Sequence, residues 1–476
     1  MAENDVRYLL IEFTKDQIKY TKPKKKLKNS SATDLRQDGL ELELTVSQIF
    51  HKALNRTRVE GIFKKNDFEV LGKVLFKILC LVDIPEVKNF VYSDLSYILR
   101  SDEARCIIVL LFDKDTRNLA MLPWEYLQIM DDNYDNDIEE PFYIAAQKDV
   151  KFDLVRYIEY LDGKDSEHDY SPQEQKKLNI ITVICSPEND NLNTADFEKC
   201  FDDLNKEFQT ENNEKVIVAR RLKNPSWEKF VEKFKKEVEP KLDGEYILHF
   251  YGHARMEKEK PEIAFIDNDG HKQWVSHKKF AALFEKDLNY KKPLAIVMQA
   301  CESGQTNSKG QGLAVSLIKK GIPFVLAMQN EVTPLTSLAF FKKFYQALLS
   351  GHDFFKAVTI GKVFLGREYG IKNPELDREH HYSNNSFGTP VIFTSSLTPL
   401  RFFPEKERQS KKDQYILVCT NPDCKEEYPS YSELEHCNTG RCRERLEIKK
   451  FIRQEEVQGT APVLESGKTS LDKNKM

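Results

Sequence analysis

Two apolar segments of this chain each lead into a side chain that can act as a chemical reagent. Residues 294–299 lead through one alanine into Cys301, and residues 246–251 lead through one glycine into His253. Short apolar segments of this kind are typical of buried strands, so each reactive group would lie just past a strand end. An imidazole can take the proton of a thiol, and the thiolate that results is a strong nucleophile. The pair predicts a nucleophilic site.

The backbone beside these side chains is expected to stabilise the charge that an attack on an amide creates. The tetrahedral intermediate carries an oxyanion, which needs hydrogen-bond donors. The backbone N–H of Cys301 and the turn that contains Gly252 are the candidate donors. Glycine at positions 252 and 304 is expected to let a substrate backbone approach closely.

Other histidines and cysteines compete for these roles, and most of them favour a structural interpretation. His249 lies four residues before His253, in mid-strand, where a structural hydrogen-bonding role is the better interpretation. Spacing alone also leaves open a structural role for Cys301 and His253 themselves. Four further cysteines are expected to be small core residues: Cys80, Cys106, Cys185 and Cys200.

The elements that must position this site follow a regular alternation from residue 178 onward. Short strands rich in β-branched residues alternate with amphipathic helices. This pattern predicts an α/β fold with a mostly parallel sheet flanked by helices. Ligands of such sheets bind beyond the carboxyl ends of the strands. His253 and Cys301 each follow strands that are expected to be neighbours, so the fold class alone would bring them to one edge.

Changes in composition divide the chain into four parts. Residues 1–165 mix strand and helix and predict a smaller N-terminal α+β part, and the polar segment 163–175 is the predicted linker. Residues 175–400 form the predicted catalytic domain. A cysteine module occupies residues 413–450, and the polar tail at 454–476 is expected to be disordered.

The cysteine module contains two C-x₄-C pairs. Cys419 and Cys424 form the first pair, and Cys437 and Cys442 form the second. Four thiolates from two such turns suit tetrahedral zinc, so we expect a zinc-ribbon-like module with a structural Zn²⁺ ion. His436 is an alternative ligand, and a cluster of free thiols is the alternative to a metal site. Basic residues nearby make this module the candidate for contact with a protein partner or a nucleic acid.

The bulk composition excludes several other classes of protein. The 476 residues carry a net charge of -4, which argues against a general nucleic-acid-binding protein. No apolar stretch approaches the roughly 20 residues of a membrane span, and the acidic start of the chain does not predict a signal peptide. We therefore expect a cytoplasmic protein without a membrane span. In a reducing compartment its cysteines would be free, metal-bound or catalytic.

Five ordered motifs carry a family resemblance. They are L-P-W-E at 122–125, L-V-R-Y at 154–157, H-F-Y-G-H at 249–253, Q-A-C-E-S-G at 299–304 and G-I-P-F-V-L-A-M-Q at 321–329. Together they resemble the CHAT domain family, caspase-like cysteine peptidases related to caspases, separases and gingipains. The resemblance extends over about residues 105–395.

The resemblance implies a role for each residue of the site. His253 would be the general base or thiolate partner, and Cys301 the nucleophile. The chain departs from the family pattern at Ala254, where glycine is preferred, and at Gln299, where asparagine is usual. The Ala254 amide can still donate to an oxyanion, so the backbone of Gly252 and Ala254 is expected to contribute to the site.

The expected function is therefore that of a cysteine endopeptidase that cleaves a protein substrate without a catalytic cofactor. The family implies activation by a regulatory protein partner or signal, and a role in prokaryotic (antiviral) defence or regulated cell death. The alternatives are a catalytically silent caspase-like scaffold that binds a protein partner, and a hydrolase or transferase for a non-peptide acyl group. Asp267 and Asp269 are interpreted as turn residues and Trp274 as a packing residue, so substrate preference is left open.

Overall fold

The fold is described on a computed structural model of the whole chain. The structure describes residues 6–14, 17–23, 39–45, parts of 72–158, 178–187, 192, 194–207, 217–238, 245–285, 291–305, 311–330, 332–369 and 383–403, and the strands 413–419, 427–429 and 446–453.

The described strands and helices alternate as the sequence predicts from residue 178 onward. The strands are β1 (Val6–Phe13), β2 (Gln17–Pro23), β3 (Gly39–Thr45), β4 (Arg105–Phe112), β5 (Gln128–Ile129), β6 (Phe142–Tyr143), β7 (Phe152–Tyr157), β8 (Leu178–Ile184), β9 (Ile217–Lys223), β10 (Tyr246–Tyr251), β11 (Ala254–Glu257), β12 (Lys260–Ile266), β13 (Lys272–Ser276), β14 (Ala295–Gln299), β15 (Phe324–Met328), β16 (Pro390–Thr394), β17 (Asp413–Cys419), β18 (Glu427–Pro429) and β19 (Leu446–Arg453). The α-helices are α1 (Thr194–Glu207), α2 (Trp227–Val238), α3 (His277–Ala281), α4 (Leu313–Lys319), α5 (Pro334–Leu349) and α6 (Phe354–Phe364).

Eleven of these strands form one sheet, in the order β3-β2-β1-β4-β7-β16-β15-β14-β10-β8-β9. The strands β9, β8, β10, β14 and β15 run parallel to one another. The strands β1, β4, β7 and β16 are also parallel to one another, and the two groups meet where β16 pairs antiparallel with β15. The predicted α/β fold with a mostly parallel sheet is confirmed.

The sheet is covered on both faces, because successive residues of a strand point to opposite sides. Ile180 packs in one core and Ile181 in the other, and both are fully buried. The first core is completed by apolar side chains of α1, α5 and α6, and the second by those of α2, α3 and α4. Helices on both faces leave the strand ends as the place where polar chemistry is accessible.

The sheet continues across the place where the sequence predicted a linker. The predicted linker at 163–175 lies outside the described residues, but β7 before it and β8 after it belong to the same sheet. The chain forms two compact units, Met1–Pro404 and Glu405–Met476. In the second unit β17 pairs antiparallel with β18 and with β19. Within the described residues, no helix has the length and apolar character of a membrane span.

Candidate active site

The strand register places Cys301 and His253 at equivalent positions on neighbouring strands. β10 and β14 are parallel, and Tyr251 at the end of β10 is paired with Gln299 at the end of β14. His253 and Cys301 each follow two residues later, and the N–H of Gly252 donates to the Gln299 carbonyl at 3.2 Å. The thiol and the imidazole therefore leave the same edge of the sheet from adjacent strands.

The thiol sits on a constrained turn. Cys301 is partly buried, and its Sγ donates to the carbonyl oxygen of Val332 at 3.8 Å, in the segment between β15 and α5. The next residue, Glu302, has a φ of 58°. This left-handed conformation is uncommon for residues other than glycine, and such outliers cluster at active sites.

The two residues after Glu302 attach this turn to the sheet. The Ser303 hydroxyl donates to the Met298 carbonyl at 3.3 Å and accepts the N–H of Met328 at 3.0 Å. The Gly304 N–H donates to the Met328 carbonyl at 2.7 Å. These hydrogen bonds connect the turn to both β14 and β15, and they fix the backbone from which the thiol projects.

The two glycines of the site make room for the protein's own atoms. A Cβ on Gly304 would lie 2.6 Å from Cγ2 of Val391. A Cβ on Gly252 would lie 2.9 Å from Cε1 of Phe250 and 3.0 Å from the carbonyl oxygen of Cys185. The place of each missing side chain is therefore filled by the protein's own atoms, and the approach of a substrate backbone to these glycines stays a prediction.

The backbone amides next to the imidazole differ in how they are used. The Gly252 amide is engaged in the main sheet, as described above. Ala264 N donates to the carbonyl of His253 at 2.9 Å, and Ala254 faces Ile263 across the β11–β12 pair. In an antiparallel pair this pattern makes Ala254 a non-hydrogen-bonded position, so its N–H points away from β12. The Ala254 amide is therefore directed out of the ladder at the first residue after the imidazole.

His249 is a structural residue, as the sequence predicted. Its Nδ1 lies 2.8 Å from the Tyr345 hydroxyl and its Nε2 lies 3.0 Å from Oε1 of Gln299. The Gln299 amide nitrogen donates to the Ser337 hydroxyl at 2.8 Å, so its oxygen accepts from the imidazole. Burial lowers the pKa of His249 to about 3. A fully buried, neutral imidazole with both nitrogens engaged leaves His253 as the candidate base.

A buried charged network behind the site was not predicted from the sequence. Arg156 donates to Oε2 of Glu125 and to Oε1 of Gln329, both at 2.5 Å, and to the Ala120 carbonyl at 2.8 Å. Gln329 directly follows β15, three residues before Val332. The sequence does contain a signal for this network, because the motifs L-P-W-E and L-V-R-Y each carry one charged residue, Glu125 and Arg156, among apolar ones. Buried charges in proteins are paired, so two such residues are expected to meet.

The residues considered for substrate preference lie in the β12–β13 hairpin. The Asp267 carboxylate accepts the backbone N–H of Asp269 at 2.9 Å and of His271 at 2.8 Å, which confirms a turn role for Asp267. The guanidinium of Arg255 lies 4.0 Å from the ring centroid of Trp274. Trp274 therefore packs against a charged side chain of β11.

The predicted zinc ligands lie largely beyond the described part of the chain. The backbone of Cys419 ends β17, where it pairs with Leu446. Its side chain lies outside the described residues, and so do Cys424, Cys437 and Cys442. In the part that is described, no group of three or more metal-ligating side chains occurs. The zinc site stays a prediction.

A thiol and an imidazole at adjacent carboxyl ends of a covered parallel sheet form the candidate active site. The profile of the CHAT domain family matches residues 95–362, which is more than half of the chain, and the protein belongs to this family. The resemblance stated from the motifs is confirmed. No curated protein matches the sequence significantly.

Several solved structures match this chain at low identity. The Saccharomyces cerevisiae separase–securin complex matches with 12% identity and a TM-score of 0.41, over 82% of this chain but only 30% of that chain. The Arg-specific cysteine proteinase gingipain R matches with 10% identity and a TM-score of 0.40, over 85% of this chain and 80% of that chain. The Drosophila initiator caspase Dronc matches with 14% identity and a TM-score of 0.30, over 42% of this chain and 77% of that chain.

Proposed function

We propose that this protein is a cysteine endopeptidase in which Cys301 is the nucleophile and His253 the general base. The observation that carries the proposal is the pairing of Tyr251 with Gln299 in the parallel strands β10 and β14. His253 and Cys301 each lie two residues after these paired residues, so the imidazole and the thiol occupy equivalent positions on neighbouring strands. The family supports peptide hydrolysis as the reaction. The substrate is a protein, and the reaction is assigned to the Cys301 thiol, the His253 imidazole and two backbone N–H groups.

The reaction begins when His253 takes the proton of the Cys301 thiol. The contact between the thiol and the Val332 carbonyl ends at this point, because a thiolate has no proton to donate. The thiolate attacks the carbonyl carbon of the scissile peptide bond, and the oxyanion accepts the outward N–H of Ala254 and the N–H of Cys301. His253 then protonates the leaving amine, and water hydrolyses the thioester.

The further parts of the proposal concern control and the second unit. We propose that a regulatory protein partner activates the enzyme by shifting the segment that carries Val332 away from the thiol. The cysteines at 419, 424, 437 and 442 would hold a structural Zn²⁺ in a module that docks a partner. A cytoplasmic location and a role in defence or regulated cell death stay predictions.

The proposal is tested with a proteome-derived peptide library and mass spectrometry. Cys301→Ala and His253→Ala should each lower cleavage by at least about a thousandfold. Cys200→Ala is the control, because this thiol is buried in α1 and burial raises its pKa to about 12. Cleavage by Cys301→Ala at the wild-type rate would contradict the proposal.

A second measurement separates the enzyme from a silent scaffold. Iodoacetamide should alkylate Cys301 much faster than Cys185 and Cys200, and His253→Ala should slow the reaction at Cys301 alone. A scaffold would show no cleavage and no preference for Cys301 that depends on His253.

A further inference from the structure

In the part of the chain that the structure describes, the strand that follows the imidazole has a free edge beside the site. β11 starts immediately after His253 and is an edge strand of the small β11–β12–β13 sheet. Because the Ala254 amide points away from β12, the amide of Met256, two residues further on, points the same way. Both residues are partly exposed, and no other described strand pairs along this edge.

A carboxylate already occupies one of these outward amides. Oε2 of Glu302 accepts the N–H of Met256 at 3.0 Å. Glu302 is the residue after the nucleophile, and it reaches this position from the left-handed backbone conformation described above. The Glu302 carboxylate oxygen therefore occupies the position that a main-chain carbonyl oxygen of an added β-strand would take.

The proposed chemistry decides which half of a substrate lies on this side. His253 must protonate the amine that leaves, so the residues after the scissile bond lie toward His253, where β11 begins. Val332, which contacts the thiol, follows β15, on the opposite side of β14 from β10. The edge of β11 is therefore on the leaving-group side of the thiol.

We propose that the free edge of β11 binds the residues of an extended peptide substrate that follow the scissile bond, and that the substrate backbone displaces Glu302 from Met256. The inference rests on the proposed function. The scissile carbonyl accepts the Ala254 N–H, and the substrate runs parallel to β11. In this register the carbonyl of the second residue after the scissile bond accepts the Met256 N–H. Glu302 competes with the substrate for this donor.

The first test removes the donor at Met256. Met256→Pro lacks the outward N–H, and proline is tolerated on edge strands where this group faces outward. Met256→Ala keeps the N–H and is the reference variant. The substrates are internally quenched peptides that span a library cleavage site by four residues on each side, and coumarylamides of the same sequences that end at the scissile bond. Relative to Met256→Ala, Met256→Pro should lower kcat/KM about tenfold for the quenched peptides and leave the coumarylamides equal.

The second test removes the competing carboxylate. In the Glu302→Asn variant, asparagine tolerates the left-handed backbone conformation, and its side chain is one methylene too short to reach the Met256 N–H. It should raise kcat/KM severalfold for the quenched peptides and not for the coumarylamides. If thermal unfolding shows that Met256→Pro does not fold, the Glu302→Asn test decides the inference by itself.

The outcomes separate this inference from the function on which it rests. Equal rates of Met256→Pro and Met256→Ala on the quenched peptides would overturn the edge site while cleavage itself stands. An equal loss on both substrate types in Glu302→Asn would make Glu302 a structural residue of the nucleophile turn and would also overturn the inference. A wild-type protein that cleaves neither format would overturn the proposed function and this inference together.

Discussion

Arg156 donates a hydrogen bond of 2.5 Å to the side-chain oxygen of Gln329, although 173 positions separate the two residues. The same guanidinium nitrogen donates to Glu125, so one buried cation joins the L-P-W-E motif, β7 and the end of β15. Gln329 begins the segment that carries Val332 to the thiol. The motifs L-P-W-E and L-V-R-Y thus hold Gln329, three residues before the Val332 carbonyl that contacts the thiol.

Removing Arg156 should strongly destabilise the protein, because it leaves the Glu125 carboxylate buried without its cation. We expect Arg156→Met to lower the free energy of unfolding by about 3–5 kcal/mol in urea denaturation. The double variant Arg156→Met/Glu125→Gln should recover part of the loss, because the uncompensated charge is gone. If the double variant loses the sum of the two single losses, the pair is not coupled.

The close contact at Gly304 should make this position intolerant of any side chain. Gly304→Ala brings a methyl group into Val391 and should cost about 1–3 kcal/mol in unfolding free energy. Adding Val391→Ala removes the atom that the new methyl group meets and should restore part of the stability. Equal stability of the wild type and Gly304→Ala would show that β16 moves aside without cost.

His249 should make the stability of the protein depend on pH below neutrality. Its pKa is about 3 in the folded protein and near 6.5 when exposed, so the unfolded chain binds the extra proton between these values. The stability contributed by the neutral imidazole is fully present above pH 6.5 and is lost as the pH falls, at up to about 1.4 kcal/mol per pH unit.

The measurement is the free energy of unfolding in urea from pH 7 to pH 4. His249→Gln keeps hydrogen-bonding groups at this position but does not titrate, so its stability should fall less steeply than that of the wild type. Parallel curves for the two proteins would rule out His249 as the source of the slope.

The zinc prediction has a direct chemical test. The purified chain should contain about one Zn²⁺ per molecule by elemental analysis, since four thiolates complete a tetrahedral shell. Cys419→Ser and Cys442→Ser should each reduce the zinc content, while Cys200→Ser should not. A wild-type protein that binds no zinc after refolding with the metal would contradict the prediction.

The strands of the sheet and the positions of His253 and Cys301 were predictable from local sequence patterns. Apolar runs identify β10 and β14 as buried strands, and parallel strands end at a common edge, which places His253 and Cys301 together. The structural role of His249 was also predictable, because a histidine in the middle of a buried strand is itself buried. These inferences need only the residue types within one element and the general geometry of α/β sheets.

Other features depend on contacts that no local pattern contains. The antiparallel junction of β15 with β16 joins strands that are distant in the chain, and the junction puts Val391 against Gly304. The β11–β12 register determines which amides face outward, since a shift of one residue reverses them.

The sequence by itself determined which reactive groups follow two of the strands: a thiol and an imidazole, in the motifs of the CHAT domain family. Only the tertiary structure decided which backbone groups surround them. The Gly252 amide is used by the sheet, the Ala254 amide faces outward, and Glu302 covers Met256. The reason is physical, because residue identity sets what a side chain can do, whereas strand register and packing between distant segments set which groups meet.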